Sequence, residues 1–207
     1  MNPIVYLGKM TFMCVICLLA FTGCSTTLET VHSDMSTELE SVDLQKTRLV
    51  VNNATPGRAD SNGTLYKLSG IYLSNCIKDI VSNFNPSVKL MQQELTEDET
   101  LRKLRKNKDV DYLIFAKINN WEDHATEWNG VPDRININIK LYEIATDKVL
   151  AEEHFKSTSK WATFGGDHPQ DMLAQPLSDI FKKWFGKDIA INPEDYPCET
   201  KILKSDY

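Results

Sequence analysis

The segment RININIKLYEI, residues 134–144, constrains the fold of this chain more than any other. Its apolar and polar residues alternate without interruption, with Ile135, Ile137, Ile139 and Leu141 set between Arg134, Asn136, Asn138 and Lys140. The side chains of a β-strand point alternately to the two faces of a sheet, whereas a helix repeats about every 3.6 residues. The segment is therefore predicted to be a strand with one buried face and one face open to water.

Further strands are predicted on either side of this segment. DVDYLIFAKINNW, residues 109–121, is almost continuously apolar at its centre, as a central strand is. After the turn ATDK, residues 145–148, the segment VLAEEHFKSTSKW leads back in the opposite direction. Because these three strands are antiparallel, the segments 122–133 and 161–171 must leave the sheet at the same edge.

The preceding residues alternate between short β-branched runs and amphipathic helical patterns. Strands are predicted at 47–53 and 86–92, and helices at 65–84, 96–108 and 170–185. Thr96 and Glu99 have the spacing of a capping box. The element order β-α-β-α-β-β-β-α predicts an α/β (α+β) fold, in which helices pack on one mixed sheet with a C-terminal antiparallel meander. The loop at 54–64 is interpreted as a connector in which Arg58 could hold an anion.

The first 23 residues have the pattern of a signal peptide. Lys9 precedes an apolar run that is too short to span a bilayer. The run ends in Phe21-Thr22-Gly23-Cys24, which resembles a bacterial lipobox and implies cleavage before Cys24 and acylation of that cysteine. Ser25, in place of an aspartate, implies sorting to the outer membrane if the host has two membranes. An ordinary secretory peptide or a short membrane anchor is the alternative. We therefore expect a protein anchored in the outer membrane by its N-terminal lipid and facing the periplasm.

Three regions are predicted after the signal peptide of residues 1–23. Residues 24–46 are polar and acid-rich without an apolar period, which favours a lipidated cysteine followed by a flexible tether. Residues 47–186 hold the predicted strands and helices and are expected to form a periplasmic α/β domain. Residues 187–207 are a charged C-terminal tail punctuated by prolines.

Net charge argues against nucleic acid as a partner. Residues 1–23 contain one of the 23 Lys and Arg residues and none of the 29 Asp and Glu residues, so the chain from Cys24 onward carries a net charge of −7. A nucleic-acid phosphate backbone is negatively charged and repels an acidic domain. Binding to that backbone depends on clustered basic side chains.

Two cysteines remain once the signal peptide and Cys24 are set aside. Cys76 lies in a predicted helix and Cys198 in the tail. The periplasm permits disulfides, so a bond between these two residues is one alternative. The other alternative is a buried thiol in the helix and a loose thiol in the tail, and spacing alone does not decide between them.

The two segments that share an edge hold most of the unusual side chains of the chain. Three of its four tryptophans lie at this edge. The candidate partner-binding residues are Trp121, Trp128, Arg134, Trp161 and Phe164. Tryptophan and arginine often anchor interfaces, because they combine large contact area with hydrogen-bonding capacity. In the structural alternative, Trp121 and Trp161 cover the end of the sheet and Arg134 pairs with nearby acids.

The same edge carries candidate metal ligands. Asp123, His124, Asp167 and His168 are ligand types that zinc or manganese accepts. None has the spacing of a known metal motif, and Asp167 or His168 could instead begin the last helix. No serine lies in a G-x-S-x-G elbow, and Cys76 is on the apolar face of a helix. We therefore expect neither a cofactor nor an enzymatic activity.

Two long motifs support a family assignment. The segments NNWEDHATEWNGVPDRININIKLYEIATDKVL and WATFGGDHPQDML resemble the domain of unknown function 4823 family of proteobacterial lipoproteins, over about residues 46–185. The resemblance implies an envelope lipoprotein and brings no established activity and no catalytic residues. The architecture also resembles, more loosely, lipoprotein domains of curli secretion and penicillin-binding-protein activators, and fold alone does not imply function.

The functional hypothesis is a non-enzymatic accessory or assembly factor that presents its Trp/acid-rich edge to another protein of the cell envelope. A peptidoglycan- or polysaccharide-binding module is the alternative, because exposed aromatic rings can stack on sugars. A metal-assisted hydrolase is the third hypothesis, and it rests on the candidate ligands at the same edge.

Overall fold

The structure is a computed structural model, and it describes residues 26–124, 131–159, 168–186 and 198. The strands are β1 (Thr27–Met35), β2 (Leu49–Asn53), β3 (Gly57–Arg58), β4 (Leu65–Tyr66), β5 (Lys89–Glu94), β6 (Tyr112–Glu122), β7 (Arg134–Glu143) and β8 (Lys148–Thr158). The helices are α1 (Ser69–Ser82), α2 (Glu97–Leu104) and α3 (Ala174–Phe185). Among the described residues, no helix has the length and apolar character that crossing a membrane requires.

A mixed six-stranded sheet forms the centre of the fold, in the order β1-β8-β7-β6-β2-β5. The strands β6, β7 and β8 form an antiparallel meander, and β2 runs parallel to both β6 and β5. The predicted fold class and element order are confirmed. The capping box is confirmed too, since the side chains of Thr96 and Glu99 each accept a hydrogen bond from the other's backbone N–H at the start of α2.

The two faces of the sheet differ as the alternation in β7 predicts. Ile135, Ile137, Ile139 and Leu141 are at most 1% exposed and lie in the core that α1 and α3 cover. On the other face, the short α2 covers only a smaller apolar cluster around Leu113 and Phe115. Beyond α2 this face is polar, and Asn136 and Asn138 form hydrogen bonds with Asn119 and Glu152 of the neighbouring strands.

The structure differs from the predicted flexible tether over residues 27–46. Residues 27–35 form β1, an edge strand paired antiparallel with β8, and Leu39 and Leu44 of two short 3-10 turns are buried in the core. An edge strand exposed on both faces is stabilised by backbone hydrogen bonds and does not need apolar side chains. For this reason the polar sequence of β1 shows no apolar period.

A buried carboxylate fastens β1 to the rest of the domain. Glu153 of β8 is 4% exposed, and its Oε1 accepts hydrogen bonds from Ser33 Oγ of β1 and Lys183 Nζ of α3, each at 2.8 Å. Lys183 Nζ also donates to Ser33 Oγ at 2.6 Å. A buried carboxylate needs such partners, because it loses the water that would otherwise solvate its charge.

Cys76 of α1 and Cys198 are joined by a disulfide, with their Cα atoms 4.9 Å apart. Both cysteines are buried. The bond joins residues separated by 122 positions and holds residue 198 against the helical side of the core. Of the two alternatives that the sequence leaves open for these thiols, the structure has the bonded one.

We expect Lys183→Ala to loosen β1. Glu153 would keep only the Ser33 hydroxyl, and leaving a buried charged group short of a partner destabilises by about 1 to 3 kcal/mol. Hydrogen exchange of the β1 amides should become faster in this variant. The neighbouring Lys182→Ala removes the same charge from α3 and serves as the control, and equal exchange rates in the two variants would contradict the role given to Lys183.

Candidate functional site

The register of the meander brings three strand ends into one row. Glu122, the last residue of β6, lies opposite Arg134, the first residue of β7, and Arg134 lies opposite Thr158, the last residue of β8. The prediction that the segments after β6 and after β8 leave the sheet at the same edge is confirmed. We call this edge the rim end, and it comprises residues 122–124, 131–134, 158–159 and 168.

Hydrogen bonds tie the segments of the rim end to one another. The backbone N–H of Asp133 donates to Ser159 Oγ at 2.9 Å, and the N–H of Ser159 donates to the Asp133 carbonyl at 3.0 Å. The Asp133 carboxylate accepts the backbone N–H of His124 at 2.6 Å. His168 Nδ1 lies 3.5 Å from Asp123 Oδ1. The residues on the two sides of the meander therefore form one connected unit.

Glu122 is the most deeply buried charged residue of this unit, at 3% exposure. Its Oε1 accepts the backbone N–H of Ser61 at 3.3 Å, and its Oε2 lies 3.5 Å from His124 Nε2 and 3.6 Å from an Arg134 guanidinium nitrogen. Burial raises the pKa of Glu122, but the Ser61 hydrogen bonds, His124 and the Arg134 charge outweigh it and hold the pKa below its ordinary value.

Asp133, 9% exposed, has the opposite balance. Burial and the neighbouring Asp123 raise its pKa above the ordinary value, although the hydrogen bond from His124 and the two nearby histidines act against the shift. The folded protein therefore stabilises the ionised form of Asp133 less than water does. The rim end thus contains one carboxylate that its surroundings stabilise as the anion and one that they do not.

A hairpin within residues 54–68, formed by β3 and β4, packs against the last residues of β6 at the rim end. The N–H of Asp60 donates to Asn120 Oδ1 at 2.8 Å, and the Tyr66 hydroxyl donates to the Asp123 carbonyl at 3.1 Å. At Gly57, a Cβ atom would collide with the side chains of Ile118 and Trp121, so only glycine permits this approach.

This hairpin is more than the connector that the sequence suggests. Its strands β3 and β4 have two residues each, too few to show a period. The signal in the sequence was the polar pair Asn120 and Glu122 at the end of an apolar strand, since both receive hydrogen bonds from the hairpin. Arg58 donates to the Gly63 carbonyl at 3.2 Å within the same hairpin.

The two described candidates for partner binding, Trp121 and Arg134, differ in exposure. Trp121 is 2% exposed and packs in the core, so the structural alternative applies to it and it is not available to a partner. The Arg134 side chain pairs with Glu122 and is still 51% exposed, so it can also contact a partner. Cys24, Trp128, Trp161, Phe164 and Asp167 lie outside the described residues.

Some of the candidate metal ligands do come together. The ligand atoms of Asp123, Asp133 and His168 lie within 4.8 Å of one another. His124, by contrast, directs its Nε2 to Glu122. Two carboxylates and an imidazole are a donor set that zinc or manganese accepts. The sequence placed Asp133 at the same edge as His168 but did not identify it as a candidate metal ligand.

The fold and the rim end define a small α+β domain with one mixed sheet and helices on one main face. The chain belongs to the DUF4823 family, whose model matches residues 45–183 and whose description is a domain of unknown function. No curated protein sequence matches the chain.

Solved structures resemble this chain at low sequence identity, and the two with TM-scores above 0.5 share its fold. The PelC dodecamer from Paraburkholderia phytofirmans has a TM-score of 0.53 and 8% identity, covering 79% of this chain and 99% of PelC. A single-substitution variant of the same dodecamer has a TM-score of 0.51 and 8% identity, covering 78% and 99%. Lipoprotein GNA1162 from Neisseria meningitidis has a TM-score of 0.43 and 11% identity, covering 67% and 98%.

The two rim carboxylates should respond oppositely to neutralisation at pH 7. Glu122→Gln is expected to lower the free energy of unfolding by about 1 to 2 kcal/mol, since it removes a stabilised buried anion. Asp133→Asn is expected to leave it unchanged or raise it, because the amide oxygen can still accept the His124 N–H. Urea unfolding of both variants measures the difference.

The loss of stability in Glu122→Gln should depend on pH. A lowered folded pKa contributes stability above the unfolded value of about 4.3, and that stability is lost as the pH falls through the folded pKa. The Glu122→Gln deficit should therefore shrink below about pH 4. A larger loss at pH 7 in Asp133→Asn than in Glu122→Gln would contradict the electrostatics described for the rim end.

Proposed function

We propose that this protein is a lipid-anchored accessory factor of the outer membrane that docks through its rim end onto another protein of the cell envelope, without catalysing a reaction. The anchor is assigned to Cys24 on the lipobox-like sequence of residues 21–24. The resemblance to a family of proteobacterial lipoproteins supports the same location, and the family itself brings no activity.

The observation that carries the proposal is the construction of the rim end. Two segments far apart in sequence are joined there by hydrogen bonds through Asp133 and Ser159, and Glu122 is buried among polar partners. Buried charges rarely raise stability over an apolar core of equal volume. A rim end whose buried charges do not raise stability, but whose geometry is fixed by hydrogen bonds, is typical of a surface that presents groups in a fixed arrangement.

The exposed groups of the rim end suit a protein partner. Val131 is 44% exposed beside Asp133, and the half-exposed Arg134 has a guanidinium nitrogen 3.6 Å from Glu122 Oε2. An exposed apolar side chain next to an arginine is a combination that anchors many interfaces. The likeness to PelC concerns the fold alone, and it gives no partner for this chain.

Photocrosslinking in cells tests the docking surface. A photoreactive amino acid at Val131 should give a discrete protein adduct, because this residue is exposed at the rim end. Val149 is a matched control: it is also an exposed valine, at 36%, and it lies near the start of β8 at the opposite end of the sheet. Mass spectrometry of the adduct identifies the partner.

An adduct at neither position, or equally at both, would contradict docking through the rim end. It would favour the polysaccharide-binding alternative or the metal-assisted one, for which Asp123, Asp133 and His168 supply the ligands. An adduct with the mass of two copies of this chain would indicate self-assembly, as in the PelC dodecamer, rather than a separate partner.

A further inference from the structure

The lipid anchor and the rim end lie at the same end of the domain. Thr27, the first residue of β1, is paired with Thr158, which is itself paired with Arg134 of the rim end. Cys24 is three residues before Thr27, and a fully extended chain spans at most about 3.5 Å per residue. A lipid on Cys24 therefore begins within about 10 Å of this row of strand ends.

The short connection changes what the anchor does. A flexible tether over residues 24–46 would let the domain turn freely below the membrane. With β1 starting at Thr27 and fastened through Ser33, only residues 25 and 26 separate the acylated residue from the folded sheet. Such a short segment restricts the orientations in which the domain can meet the bilayer.

Apolar side chains point to solvent around this end. Leu28 is 46% exposed, Val131 44% and Leu65 of the covering hairpin 41%. Two of the acids near them, Glu122 and Asp133, are buried at 3% and 9% exposure. Exposed apolar side chains close to the lipid-bearing residue can enter the interfacial region of the bilayer that holds the lipid.

The opposite end of the sheet has the character of a water-facing surface. Exposed ion pairs lie there, with Arg105 3.0 Å from Asp147, Lys148 2.5 Å from Glu38, and Arg48 2.5 Å from Asp111. The two ends are separated by the length of β8, about 30 Å from Val149 to Thr158.

We propose that, when no protein partner is bound, the rim end rests on the surface of the bilayer that holds the Cys24 lipid, with Leu28, Leu65 and Val131 in contact with it. The inference rests on the acylation of Cys24 in the proposed function. It makes the rim end face the membrane, so a protein partner of the rim end would be reached in the plane of the membrane and not across the periplasm.

The charges at this end select zwitterionic lipid. Arg134 and His168 are half exposed and can meet phosphate groups, but Glu29 of β1 and Asp60 of the hairpin are exposed acids. The chain from Cys24 onward has 22 basic and 29 acidic residues, a net charge of −7. An anionic surface would repel such a domain, so the contact depends on the lipid anchor and on apolar side chains.

Depth-dependent fluorescence quenching tests this orientation. The full-length lipidated protein would carry a genetically encoded fluorescent amino acid at position 65, 131 or 149, in nanodiscs of phosphatidylcholine with a nitroxide on some headgroups. We expect a loss of fluorescence at 65 and 131 and no loss at 149. The encoded amino acid leaves the disulfide of Cys76 and Cys198 undisturbed.

Charge variants separate bilayer contact from mere proximity to the anchor. Leu28→Asp should reduce the quenching at 65 and 131, because it places a charge in the contact, whereas Val149→Asp should not change it. Circular dichroism would test whether each variant is folded. If Leu28→Asp is not folded, Leu28→Ala replaces it.

The outcomes distinguish this inference from the proposed function. An intact N-terminal lipid by mass spectrometry with no quenching at 65 and 131, or with equal quenching at all three positions, would overturn the orientation alone. A mature chain without a lipid on Cys24 would overturn both. We expect weaker quenching at 65 and 131 when phosphatidylglycerol replaces phosphatidylcholine. Stronger quenching there would overturn the preference for zwitterionic lipid.

Discussion

The register between β6, β7 and β8 is the constraint on which the remaining features of the domain depend. Four residues of β7, from Ile135 to Leu141, are fully buried on the helical side of the sheet. A slip of one residue would turn all of them to water and bring Asn136 and Asn138 into the core. Because the core fixes this register, it also fixes which residues meet where the strands end. Glu122, Arg134 and Thr158 are neighbours for that reason.

The fixed register holds two buried carboxylates at the rim end that would oppose folding without partners. The ionised Asp133 is disfavoured by burial, and Glu122 is tolerated only because Ser61, His124 and Arg134 surround it. These partners come from different segments, including the hairpin that covers β6. A surface assembled in this way depends on the whole domain, and it presents Arg134 and Val131 in one arrangement. The same end receives the start of β1, so the topology of the sheet brings the proposed lipid anchor close to the proposed docking surface.

Most of the architecture could be predicted from periodicity. The alternation in residues 134–144 gave both the buried and the wet face of the sheet, and antiparallel geometry alone brought Asp123 and His168 to one edge. The edge strand β1 could not be predicted, because its stability comes from backbone pairing with β8 and leaves no apolar signal. The contacts of Asp60 and Ser61 were also out of reach, since they depend on two-residue strands.

The candidate site could be predicted in outline but not in its details. The sequence placed Trp121 and Arg134 at the right edge. It could not show that Trp121 turns into the core while Arg134 stays half exposed. Spacing along the chain does not tell which side of a strand end meets the hairpin, and a β-bulge between Ile118 and Asn120 shifts that side. For the same reason the sequence placed Asp133 and His168 at one edge but could not show that their ligand atoms meet.

The most direct test of this account is the distance between spin labels on the three exposed residues Leu28, Val131 and Val149, measured by double electron–electron resonance. Leu28 and Val131 should lie at one end of the sheet, less than about 20 Å apart, and Leu28 and Val149 should lie about 27 Å apart along β8. A Leu28–Val131 distance longer than the Leu28–Val149 distance would contradict it. The lipid anchor and the rim end would then lie at different ends of the domain.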